Sequence, residues 1–96
     1  MFIAIRKYSG CKDPAEINRR IVASLVPFLR EMPGFRSYTT MDIGGGVIAS
    51  ISEFNTRAEA EQATEKARDL VRQTLSDLVP NPPEVTIGEM MSQIRA

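Results

Sequence analysis

The chain contains no histidine and no tryptophan, and Cys11 is its one cysteine among 96 residues. Without histidine it lacks the commonest general base at neutral pH, the commonest zinc ligand and the usual haem axial ligand. Serine triads, zinc hydrolases and His-ligated haem chemistry are excluded on that ground. A single cysteine rules out an intrachain disulfide, and a thiolate nucleophile would want the imidazole partner that is missing, so Cys11 is expected to be a plain loop residue. Charge of one sign is also lacking. Twelve Lys and Arg balance twelve Asp and Glu, which leaves no overall field to draw in nucleic acid or an anionic membrane surface. The apolar opening Phe2-Ile3-Ala4-Ile5 stops at Arg6-Lys7, too short for a signal-peptide core, and no apolar run reaches membrane length. The expectation is a cytoplasmic protein.

What is present reads as one globular domain over residues 1–96, with 43% hydrophobic and 25% charged residues. Residues 2–8 alternate as a first strand. Asp13-Pro14-Ala15-Glu16 supplies a helix N-cap, a proline at the first helical position and an acidic residue three after the cap. Ile17, Ile21, Leu25, Phe28 and Met32 then recur at threes and fours. Pro27 falls inside that pattern, has no amide to donate and predicts a kink or break. Met32-Pro33-Gly34 stops the helix. Phe35–Ile43 and Val47–Phe54 read as two strands joined by Gly44-Gly45-Gly46, a hairpin rather than a phosphate cradle, because phosphate loops lead into helices. Thr56-Arg57-Ala58-Glu59 opens a second helix with Ala60, Ala63, Ala67, Leu70, Val71, Leu75 and Leu78 on its apolar face, ended by Pro80-Asn81-Pro82-Pro83. Val85, Ile87 and Met91 mark a fourth strand, and a short tail follows Ser92.

The order βαββαβ predicts an α+β, ferredoxin-like fold: a four-stranded antiparallel sheet with two helices on one face. Assigning Ile3, Ile5, Phe35, Val47, Ala49, Ile51, Val85 and Ile87 to the helix side leaves Arg6, Tyr8, Arg36, Tyr38, Thr40, Ile48, Ser50, Ser52, Phe54 and Thr86 on the uncovered side. That mixed face suits a second sheet with a wet or ligand-bearing cavity between them.

The first strand, the Met32-Pro33-Gly34-Phe35 step, the glycine hairpin leading to Val47–Phe54 and the Thr56-Arg57-Ala58-Glu59-Ala60 helix start together resemble the dimeric α/β-barrel superfamily, which includes the antibiotic biosynthesis monooxygenase-like domains. The resemblance covers nearly the whole chain. It implies a homodimer formed through the open sheet face, a pocket for a small aromatic ligand, and in some members oxygenation of polycyclic phenols without a cofactor. Haem-degrading members use a histidine and a tryptophan, absent here. The chain's asparagines, Asn18, Asn55 and Asn81, fall off the open face, so the resemblance carries over no catalytic residue.

Among individual residues, Arg6, Tyr8, Arg36 and Tyr38 stand out, because a guanidinium beside a phenol can hold an aromatic anion; the same residue types also anchor protein interfaces. Ser50 and Ser52 are candidate ligand contacts without an activating base. Glu53, Glu84 and Glu89 have no metal-ligand spacing, Met90-Met91 reads as packing, and neither a metal nor a cofactor is expected. Two functions follow: a small-molecule-binding homodimer with its pocket between helices and sheet or between sheets, or a cofactor-independent monooxygenase acting on a phenol or quinol, with Arg6 and Arg36 holding the phenolate and Tyr8 or Tyr38 orienting it. A third, dimerisation alone, would leave the open face dry and filled.

Overall fold

A computed structural model describes residues 1–96. Strand β1 (Phe2–Tyr8) is followed by α1 (Pro14–Arg20), a π-helical turn (Ile21–Leu25) and α2 (Val26–Arg30), which together form the first helical body. Then come β2 (Phe35–Gly44), β3 (Val47–Phe54), α3 (Arg57–Thr74) and β4 (Glu84–Glu89). The sheet order β2-β3-β1-β4 is antiparallel throughout, the ferredoxin-like arrangement.

Local chemistry accounts for the element ends. Asp13 Oδ1 accepts from the Glu16 amide at 3.2 Å, and Pro14 occupies the first turn, where its missing N–H costs nothing. Thr56 and Glu59 form a reciprocal capping box at the start of α3. Gly45 and Gly46, with φ of 63° and 80°, make a two-residue hairpin connection that needs positive φ at both central positions. Gly34 has φ of 75°, which disfavours any side chain, and a Cβ there would push the Glu59 carboxylate out of the capping box.

The Pro27 perturbation takes a specific form. Proline cannot donate to Ala23, and the preceding turn widens: the Val26 amide reaches back five residues to the Ile21 carbonyl. The body continues beyond the turn instead of breaking. The second helix ends earlier than the Pro80 stop predicts. The Thr74 hydroxyl donates back to the Leu70 carbonyl at 2.8 Å, and the chain then turns at Leu75, tucking Leu75 and Val79 into the core.

The sheet faces are largely the reverse of the sequence expectation. Ala4, Arg6 and Tyr8 of β1 and Ile48, Ser50, Ser52 and Phe54 of β3 are buried beneath the helices, while Ile5 is 40% exposed on the open side. Cross-strand pairing places Tyr38 and Thr40 beside Ser52 and Ser50 on the covered side. Ile3, Ile51, Ala49 and Met41 go with Ile5 to the uncovered one. Phe35, Val85, Ile87 and Thr86 keep their expected sides. The physical reason lies in α3, which contributes Ala60, Ala63 and Ala67, all fully buried. Alanine side chains take up little of the volume between helix and sheet, which leaves room there for the longer Arg6, Tyr8 and Phe54. Phe54 packs edge-on to Phe35, ring centroids 5.8 Å apart.

Candidate functional site

Five of the six candidate residues come together, but beneath the helices rather than on the open face. Pairing in β1 and β3 sets Arg6 opposite Ser50, Tyr8 opposite Ile48 and Ala4 opposite Ser52. The Arg6 Nε–H donates to Ser50 Oγ at 3.0 Å, and the guanidinium carbon lies 5.8 Å from the centre of the Tyr38 ring. Arg36 does not join them. It falls at a register irregularity between Phe35 and Ser37 and is exposed, because the bulge shifts alternation just before Tyr38.

Arg6 is the most unusual residue in the molecule. It is 1% exposed, forms no salt bridge, and its Nη1 and Nη2 find no hydrogen-bond partner among the protein atoms. Each unmet buried donor costs about 1–3 kcal/mol, and a buried charge without a counter-ion costs several more. The Tyr38 ring face offsets part of that cost. Ser52 Oγ and Thr64 Oγ1, on the sheet and on α3, are also buried and unpartnered.

Arg6 itself lines none of the three cavities nearby; its contacts Ser50 and Tyr38 line the innermost. An inner chamber of about 20 Å³, room for one water, is lined by Tyr8, Tyr38, Thr40 and Ser50 from the sheet and by Ile17 and Ile21 from the first helical body. An outer cleft of about 340 Å³ lies under the Pro80–Pro83 loop and shares Tyr8, Val71 and Val79 with the chamber. That volume falls at the small end of ordinary ligand pockets. On the other side, a recess of about 270 Å³ shares Ile17, Thr40 and Ile48 with the chamber and carries Asp42. The cleft differs in charge: Arg68 and Arg72 line it, and no carboxylate does. Arg68 Nε is buried without a partner. Burial pushes the Tyr8 phenol above its ordinary value, while Arg6 and, more weakly, Arg68 pull it down.

Arg68 and Thr64 were not singled out from the sequence, where α3 reads as an apolar stripe backed by a solvated charged face. The signal was their spacing: Thr64 follows Ala60 by four and Arg68 follows Thr64 by four, which places them along the buried stripe. Other candidates play no part in the cluster. Cys11 is half-buried in a loop with its thiol pushed up by burial, and no three Asp, Glu or Cys side chains gather as a metal-binding set. No helix is long and apolar enough to cross a membrane. Glu53 accepts from Ser37 Oγ on the open face.

Comparison with known proteins finds no matching family model and no matching curated protein. Solved structures do match over almost the full chain. A variant of SnoaB, a cofactor-independent oxygenase from Streptomyces nogalater, shares 15% identity at a TM-score of 0.73, covering 99% of this chain and 97% of its own. The ActVA-Orf6 monooxygenase of Streptomyces coelicolor, solved with nanaomycin D, shares 16% identity at a TM-score of 0.71, covering 99% and 91%. A protein of unknown function from Nitrosomonas europaea shares 14% at 0.72, covering 99% and 93%. The likeness is one of fold: the chain shares the ferredoxin-like architecture of these proteins, which its element order predicts.

Proposed function

We propose that this protein binds a small aromatic anion, a phenolate or enolate, between its helices and its sheet, and that it does so as a homodimer. The buried Arg6 guanidinium carries the reading, since it has no countercharge in the chain and an anionic oxygen would meet both its charge and its free N–H groups. Tyr38 supplies a ring to stack against, and Ser50 accepts a hydrogen bond from the guanidinium Nε–H. The chamber is small as it stands, so binding requires Tyr8 or Val79 to give way toward the outer cleft. Dimerisation is supported by the uncovered face, where Ile5 and Met41 are 40% and 45% exposed.

The test is fluorescence titration with 2-naphthol between pH 7 and 10. Binding that tightens as the naphtholate forms, and that falls at least ten-fold in Arg6→Met, is the expected result. Affinity that is indifferent to Arg6 would sink the assignment.

A second reading, oxygenation of the bound anion, is favoured by one observation: two proteins of the same fold are described as a monooxygenase and a cofactor-independent oxygenase. A cation beside the ring would stabilise the electron-rich form of an anthrone that reacts with oxygen. Oxygen uptake by chelator-treated protein with dithranol, lost in Arg6→Met and reduced in Tyr38→Phe, would support it. No uptake above the buffer rate would leave binding alone.

A further inference from the structure

The two openings that flank the chamber are electrostatically opposite. The Asp42 recess has an acid and no base among its lining residues; the cleft under the proline loop has Arg68 and Arg72 and no acid. Arg72 stands mostly in solvent and has only a loose partner, Asp69, at 3.8 Å. Arg68 differs, because its Nε–H is buried and bonded to nothing, one side-chain layer from the chamber. Tyr8, Val71 and Val79 form that layer.

A cleft of ligand size, walled by three prolines and holding an unpaired guanidinium, is a place for an anionic group on an organic body. We propose that the cleft is a second anion subsite, in which Arg68, with Arg72 assisting at the rim, holds a carboxylate on the same ligand whose phenolic end faces Arg6. The ligand class is thus an aromatic hydroxy acid with its two oxygen functions at opposite ends. This rests on the reading of Arg6 as the chamber's anion partner. Tyr8 lines both spaces and is the partition the ligand must displace; Arg68 lines the cleft, while Arg6 is reached past Ser50 and Tyr38 of the chamber wall, which must also give way. The Asp42 recess repels such a ligand and is not its route.

The experiment compares 2-naphthol with 6-hydroxy-2-naphthoate, which keeps the phenol and adds a carboxylate at the far end, on wild-type protein, Arg68→Gln and Arg68→Lys at pH 7.5. In wild type the hydroxynaphthoate binds at least ten-fold more tightly. In Arg68→Gln that ratio falls to within two-fold, and in Arg68→Lys, which keeps a charge, it is partly retained. A wild-type ratio below three with measurable naphthol binding overturns the subsite without touching the Arg6 reading, and this arm needs no variant to fold. A ratio that survives in Arg68→Gln also overturns it. Hydroxynaphthoate binding that depends on Arg68 while naphthol fails to bind would keep the cleft and remove the Arg6 chamber. Binding of neither removes both.

Discussion

The two faces of the sheet invert the usual distribution of polarity. The covered face holds Arg6, Ser50, Ser52 and the Tyr38 phenol under a layer of helices, whereas the uncovered face presents Ile5 and Met41 to solvent. An ordinary two-layer domain puts its aliphatic residues under the helices and its polar ones outside. Here each face carries what its visible surroundings do not satisfy. The covered side lacks an anion and the uncovered side lacks an apolar cover, and the proposed ligand and second protomer answer those two needs separately.

That separation can be broken experimentally. The largest effect on folding is expected from Phe54→Ala, which removes a fully buried ring packed edge-on against Phe35 and should cost about 3–5 kcal/mol in urea unfolding. It tests whether the covered face is a packed core around the polar cluster. Next comes Arg6→Met, expected to stabilise the fold by about 1–3 kcal/mol, because an apolar side chain replaces a buried charge that lacks a counter-ion. A loss of stability instead would make Arg6 a structural strut. Ile5→Lys should cost the isolated fold no more than about 0.5 kcal/mol, since the side chain is already 40% exposed. It should nevertheless halve the mass seen by sedimentation at micromolar concentration, and an unchanged mass would exclude this face as the interface.

The smallest effect concerns neither face. Glu16 is held down to about 2 by hydrogen bonds from Arg19 and Arg20, and Asp77 is lowered by Arg20, in a network tying α1 to the turn after α3. Both carboxyls have folded values below their unfolded ones. Their contribution is therefore fully present above about pH 4.5 and is lost as the pH falls toward 2. Arg20→Gln should flatten that part of the stability profile. An unchanged acid limb would show that the pairs Arg20 makes with Glu16 and Asp77 contribute nothing measurable.

Element order, both N-caps and the hairpin were legible because each depends on local chemistry: Asp13 and Thr56 bond within their own first turns, and Gly45-Gly46 set a turn by themselves. The choice of face was not. In β1, Ile3 and Ile5 alternate with Ala4, Arg6 and Tyr8, and period two separates the sets without saying which one meets the helices. Branched aliphatics are ordinarily the buried set. The overriding feature was remote in sequence, the alanines of α3 that make room for long side chains. The cluster of Arg6, Tyr8, Tyr38, Ser50 and Ser52 survived because a wrong choice of face moves all its members together. Arg36 was lost to a bulge that no alternation rule anticipates, and Arg68 lay on a helix whose polar residues read as solvated.

The π-helical turn at Ile21–Leu25 has a consequence for phase. Ile17, Ile21, Leu25 and Leu29 are buried at a strict interval of four, whereas a regular α-helix would carry that row around its axis by roughly 40° at each step. The widened turn takes up part of this drift and keeps all four aligned on the sheet. Pro27 therefore acts as a phase setting: removing it with Pro27→Ala would let the helix rewind and turn Ile17 and Ile21, which line the chamber, away from the azimuth of Leu25 and Leu29.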